Sequence, residues 1–141
     1  MNASLMSFKI VPIYAALLAF LYLALTAFVI TARKKERVLL GPGEDPKSPL
    51  FRAVRAHGNF AEYTPFLLIL MAFLELQGAD TLLLHSIGFL FVSSRILHAV
   101  SIGGAQHSMK LRVRSMMATL FLFGVMALAN LYLAIRTLVS A

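Results

Sequence analysis

Residues 10–30 read IVPIYAALLAFLYLALTAFVI, from Ile10 to Ile30, without one charged side chain. Coiled as a helix, the stretch is about 31 Å long at 1.5 Å per residue and matches a hydrocarbon core of roughly 30 Å. This run decides the fold class, because a soluble domain has no use for so long an apolar helix. It is about twice as long as the apolar part of a signal peptide, and no small-residue cleavage site precedes Arg33, so an uncleaved span is expected. A second uncharged run, Ser115 to Ile135, is equally long and is interrupted only by Asn130 and two hydroxyl residues. Between them lie two weaker candidates. One, from about Leu50 to Leu76, carries Arg52, Arg55, His57, Glu62 and Glu75, and the other, from about Thr81 to Ser101, carries His85, Arg95 and His98. The expectation is an all-α integral membrane protein, a single domain of four transmembrane helices at about 10–33, 50–77, 80–101 and 112–138.

Composition agrees. The chain of 141 residues is 60% apolar and 13% charged, against roughly 25% charged in ordinary soluble domains. A mean hydropathy of +0.82 argues against a soluble enzyme. Lys and Arg outnumber Asp and Glu 13 to 6, giving a formal charge of +7. The excess sits at one membrane face: Arg33, Lys34, Lys35, Arg37, Lys47, Arg52 and Arg55 surround the first connection, and Arg95, Lys110, Arg112 and Arg114 the third. The second connection, Gln77-Gly78-Ala79-Asp80, has no basic residue. Because Lys and Arg collect on the cytoplasmic side of short loops, loops 1–2 and 3–4 are expected in the cytoplasm. No basic run interleaved with aromatics supports a nucleic-acid surface. The chain has no cysteine, so a reactive sulfur would have to come from another molecule. The four histidines are scattered, no HExxH spacing occurs, and the arginines would repel a cation, so no metal site is expected. Gly103-Gly104 is a weak turn signal and not a phosphate loop.

Helix two is the informative one. At about 100° per residue, Arg55, Asn59, Glu62 and Phe66 share one stripe with Arg52 and Tyr63 at its edge, while His57 points the other way. Ionisable groups at membrane depth cost on the order of 3 kcal/mol each and mark sites or internal pairs. An ion pair between Arg55 and Glu62 that locks helices together is one reading. A run of Arg, Asn, Glu and Tyr on one face favours the other, a ligand site. Pro65 removes a backbone hydrogen bond beside Glu62 and Tyr63. Arg95 and His98, three residues apart, add a weaker polar face on helix three. Arg33, Arg55, Arg95 and Arg114 set against Glu62 suit a small anionic zwitterion, since arginine binds carboxylates bidentately and keeps its proton. The methionines are read as packing or lipid-facing residues, and Gly124 with Ala127 as a close helix contact.

The segment Arg55-Ala56-His57-Gly58-Asn59-Phe60-Ala61-Glu62-Tyr63-Thr64-Pro65 resembles the signature of the MAPEG family, the membrane-associated proteins in eicosanoid and glutathione metabolism. Thr31-Ala32-Arg33-Lys34, Glu75-Leu76-Gln77-Gly78-Ala79, Arg95-Ile96-Leu97-His98 and Arg114-Ser115 extend the similarity over nearly the whole chain, which looks most like the small bacterial branch. The resemblance implies a four-helix bundle assembling as a homotrimer in the bacterial inner membrane, with glutathione held between subunits. It implies that Arg55, Asn59, Glu62 and Tyr63, completed by Arg95 and His98, hold glutathione. It further implies that Arg33 of an adjacent subunit and Arg114, with Arg112 as the alternative, lie near the sulfur. Ile102 stands where many relatives carry a tyrosine. The function implied is a glutathione transferase or peroxidase acting on lipophilic small molecules dissolved in membrane lipid. A small transporter built around Glu62, or a trimer that binds glutathione or lipid without turnover, are the alternatives.

Overall fold

The computed structural model describes residues 8–103 and 108–140. Four helices follow in order: α1 Val11–Glu36, α2 Pro49–Leu76, α3 Thr81–Gly103 and α4 Met109–Val139. Their 26, 28, 23 and 31 residues make rods of roughly 35–46 Å, and all four are long and apolar enough to cross a membrane. α1 continues to Glu36, three residues past the end expected from the sequence, and α4 starts at Met109 instead of about 112. Gly104 of the Gly103-Gly104 pair lies outside the described residues. α2 is unbroken across Pro65.

α2, like α3, packs against each of the other three helices, whereas α1 and α4 do not meet among the described residues. Leu18, Leu67, Met71, Leu74, Leu84, Phe91 and Met126 are fully buried and form one core along the length of α2. Large apolar residues such as Phe20, Leu23, Phe89, Phe121 and Leu128 point outward. That distribution is stable only in lipid, because so continuous an exposed apolar surface would drive association in water.

Polar contacts fix the register where apolar packing alone would allow sliding. The Glu75 carboxylate, at the end of α2, accepts from the backbone N–H groups of Lys9 (2.7 Å), Ile10 (2.7 Å) and Val11 (2.9 Å), which open α1. At the other end, Glu36 of α1 accepts from Leu50 N–H at 2.8 Å, in the first turn of α2. Each helix of the α1–α2 hairpin therefore caps the N-terminus of the other with a carboxylate, where the helix dipole favours negative charge. Ser48 completes the α2 cap by accepting from Phe51 N–H at 3.0 Å, ahead of Pro49.

α1 meets α3 where the Tyr14 ring lies over Gly88, so closely that any Cβ at 88 would strike the ring. The Tyr14 hydroxyl is 2.9 Å from His85 Nδ1 and donates to the His85 carbonyl at 3.0 Å. Gly124, expected as a close contact, has nothing within 4 Å of a built Cβ among the described residues, and Ala127 is exposed. The tight glycine is Gly88 of α3. Asn130 of α4 donates to the Leu70 carbonyl of α2 at 3.0 Å and accepts from Gln77 Nε2 at 2.8 Å, tying α4 to the end of α2.

Candidate functional site

The expected polar stripe runs along the basic-loop half of α2, and its position follows from the cap. Ser48, Pro49 and Glu36 fix the first turn, which places Arg52 and Arg55 one and two turns in and Asn59 and Glu62 beyond them on the same side. Two adjoining cavities open along this stripe and share Arg55. One, about 190 Å³, is lined by Pro46, Lys47, Phe51, Arg52, Arg55, Ile102 and Arg112. The other, about 200 Å³, is lined by Val54, Arg55, Gly58, Asn59 and Glu62. Together the walls carry Lys47, Arg52, Arg55 and Arg112 against the single carboxylate of Glu62. Among the described residues Arg55 and Glu62 share a cavity without an ion pair within 4.0 Å. The locking-pair reading is therefore not realised within the chain, and both side chains are exposed for a ligand.

Behind the stripe lies Arg95 of α3, 1% exposed. Its Nη1 donates to Asn59 Oδ1 at 3.3 Å and to the Asn59 carbonyl at 3.5 Å. Among the described residues Nε and Nη2 are buried without a partner. An arginine has donors only, so this contact commits the amide oxygen of Asn59 to Arg95 and leaves the NH₂ end as the group a ligand would meet. His98, one turn further along α3, is also buried. Its Nδ1 lies 3.2 Å from Ser115 Oγ of α4, and its Nε2 has no partner among the described residues. Ser94 Oγ lies 3.3 Å from Thr119 Oγ1 one turn away, so a short polar seam joins α3 to α4 beneath the cavities.

The remaining expected residues are distributed differently. Tyr63 is half-buried and packs edge-on against Phe123 of α4, with ring centroids 6.4 Å apart. Arg33 lies at the end of α1, where its Nη1 donates to the carbonyls of Leu39 (3.3 Å) and Gly41 (2.9 Å), away from the cavity walls of its own chain. Arg114 is exposed on α4. Arg112 is half-buried and lines the cavity with Arg55. The pattern on α4 explains the difference: Ser115, Thr119, Leu122 and Met126 are its buried residues, and Arg112 precedes them in the same three-and-four spacing. Arg114 is rotated about 200° from Arg112, to the opposite side.

Sequence reasoning read Lys47 as mainly setting topology, yet the structure brings it to the cavity wall. The signal was the Ser48-Pro49 cap, which holds Lys47 against the first turn of α2 beside Phe51 and Arg52. Ile102, buried on α3, contributes an apolar wall to the same cavity.

With this geometry described, comparison with known proteins gives consistent matches. The model of the MAPEG family matches residues 11–132. The chain is also similar to the inner membrane protein YecN of Escherichia coli K12, 36% identical over 121 residues, covering 85% of this chain and 88% of the relative. The protein of the same name from Escherichia coli O6:H1 matches with the same identity and coverage.

Proposed function

Because the chain belongs to the MAPEG family, we propose that it is a membrane-bound glutathione-dependent transferase or peroxidase working on lipophilic electrophiles. The observation that carries this reading is the pair of adjoining cavities in which Lys47, Arg52, Arg55 and Arg112 face a single carboxylate, Glu62. Glutathione has two carboxylates, one ammonium and one thiol, and this set of side chains is complementary to it. Arg55 and Arg52 suit the carboxylates, Glu62 the ammonium, and the Asn59 NH₂, oriented by Arg95, a peptide carbonyl. Tyr63 closes the wall toward α4, and His98 supports it from behind through Ser115.

Glutathione would supply the nucleophilic sulfur that a chain without cysteine lacks. A free thiol has a pKa near 8.5, and each unit of lowering corresponds to about 1.4 kcal/mol of preference for the thiolate. A guanidinium at the sulfur supplies that preference. Arg112 is the stronger candidate within the chain because it shares a cavity with Arg55, and Arg114 and Arg33 are left to reach the site of an adjacent subunit in a homotrimer. In conjugation the thiolate forms a C–S bond to the electrophilic carbon as the leaving group departs with the bonding pair, and the arginine holds the negative charge until then.

One observation favours a second reading, a trimer that binds glutathione without turning it over. Ile102 presents hydrocarbon to the cavity where many relatives have a phenol. The transporter outline rests on Glu62 alone, which lies midway along α2 and shares its cavity with Arg55. The name of its relative supports a location in an inner membrane, and the charge bias of loops 1–2 and 3–4 supports an orientation with those loops in the cytoplasm.

Calorimetric titration of the detergent-purified protein with glutathione tests the binding. Saturable binding is expected for wild type and a loss of at least tenfold for Arg55→Ala and for Glu62→Ala. No saturable binding by wild type contradicts the proposal.

A further inference from the structure

The two cavities at the basic end differ in charge, and the difference gives a ligand a direction. The cavity around Asn59 holds Glu62, with Arg55 as its cation. The adjoining one carries Lys47, Arg52, Arg55 and Arg112 and, among the described residues, no carboxylate. An ammonium is therefore favoured at Glu62, and a carboxylate on the same carbon meets Arg55. An anionic group at the far end of the ligand falls in the acid-free cavity. With Arg112 at the sulfur, Lys47 and Arg52 are left to receive it.

Lengths agree with this direction. An extended tripeptide is about 11 Å long. Arg55 and Arg52 precede Glu62 by seven and ten residues, about 10 and 15 Å along the helix axis. A tripeptide with its ammonium on Glu62 therefore ends between the levels of Arg55 and Arg52, in the cavity that Lys47 also lines.

Lys47 is exposed, and an exposed lysine is ordinarily a solvated charge on a flexible stem. Here its backbone is fixed on both sides. Asp45 Oδ1 accepts from Lys47 N–H at 2.8 Å, and the Asp45 carbonyl accepts from Ser48 N–H at 3.0 Å. Ser48 in turn caps α2. The Asp45 carboxylate is thus used on the backbone, and among the described residues it makes no ion pair with the Lys47 ammonium within 4.0 Å. The lysine is anchored at the cavity with its charge uncommitted.

We propose that Lys47 determines which thiols the site accepts: together with Arg52 it binds the carboxylate remote from the ammonium, so the site takes γ-glutamyl peptide thiols with a free C-terminal carboxylate and discriminates against those in which that group is an amide. Lysine and arginine are donors only, and the NH₂ of an amide finds no acceptor beside them. Asp45 is the positioning residue, through the turn that anchors Lys47. This assignment rests on the glutathione reading of the same site and adds the class of thiol it selects.

The test titrates the full chain in detergent, by calorimetry, with glutathione and with its C-terminal amide. Wild type should bind the acid at least tenfold more tightly than the amide, the scale of a charge-assisted pair. Lys47→Met should weaken binding of glutathione about fivefold, the upper range for an exposed charge pair, and leave binding of the amide unchanged, which also shows that the variant is folded. Lys47→Arg should keep the preference. Asp45→Ala should reduce it, and Asp45→Asn, which retains the acceptor oxygen without the charge, should restore it. Equal affinity of wild type for acid and amide, or an equal loss for both ligands in Lys47→Met, overturns the assignment while glutathione still binds. Absence of saturable glutathione binding by wild type overturns it together with the reading on which it rests.

Discussion

Arg95 brings a full charge into the bundle, where among the described residues Asn59 is its only hydrogen-bonded partner and Nε and Nη2 have none. Such a group destabilises the fold, because a buried charge without a counter-charge keeps most of its desolvation cost. In the proposed site its role is indirect: at 1% exposure it is screened from a ligand in the cavities, and it would act by setting which end of the Asn59 amide faces them. Arg95→Met should therefore leave thermal stability unchanged or raise it by about 1–4 kcal/mol, while weakening glutathione binding by about tenfold. Melting and calorimetry on the same sample check both halves. The sequence placed Arg95 and His98 in the polar site through their spacing, but spacing cannot distinguish a residue in the wall from one behind it. The choice between Arg112 and Arg114 shows the same limit. Two residues apart, they differ by more than half a turn, and only the buried run Ser115, Thr119, Leu122 and Met126 shows which of them faces inward.

At the scale of the helices, the α1–α2 hairpin is held at both ends by carboxylates that each cap the other helix. Glu75 receives three backbone N–H bonds, and Glu75→Gln keeps the shape while removing the charge and one of its acceptor oxygens. A loss of about 1–2 kcal/mol is expected, the scale of a lost helix cap, visible as a lower melting temperature in detergent. Gly88→Ala should cost more than Gly124→Ala, because a methyl at 88 enters the Tyr14 ring while the one at 124 meets nothing within 4 Å. Comparing the two melting temperatures checks this, and equal values would contradict the packing described. α1 and α4 were legible in the sequence as uncharged apolar runs, and α2 and α3 more weakly because ionisable side chains interrupt them; hydropathy needs no partner to be read. The caps and the Tyr14–Gly88 contact were not, because each joins residues more than a dozen positions apart. Nothing within α2 shows that Glu75 will meet the first turn of α1, and a glycine at a tight crossing looks in sequence like one facing lipid.

For the whole molecule, the two ends of the bundle differ in kind. The end with the Gln77–Asp80 turn is held by Glu75 and by the Asn130–Gln77 pair, with Tyr14 and His85 nearby. The other end gathers Lys47, Arg52, Arg55 and Arg112 around the cavities. If the basic end faces the cytoplasm, an impermeant maleimide should label Asp80→Cys in intact spheroplasts and Lys35→Cys only after permeabilisation, a clean test since the chain has no native cysteine. The reverse labelling would place the cavities on the outer side, away from cellular glutathione. The net charge of +7 then has two uses, with some basic residues setting orientation and others forming an anion site. That site's central claim is that Arg112 and its neighbours hold glutathione with its sulfur ionised. The most direct measurement is the ultraviolet thiolate absorbance of bound glutathione followed against pH. It should titrate at least one unit below the free thiol in wild type and in Arg114→Leu, and return to the free value in Arg112→Leu. A bound thiol that ionises in wild type at the same pH as free glutathione would contradict the account.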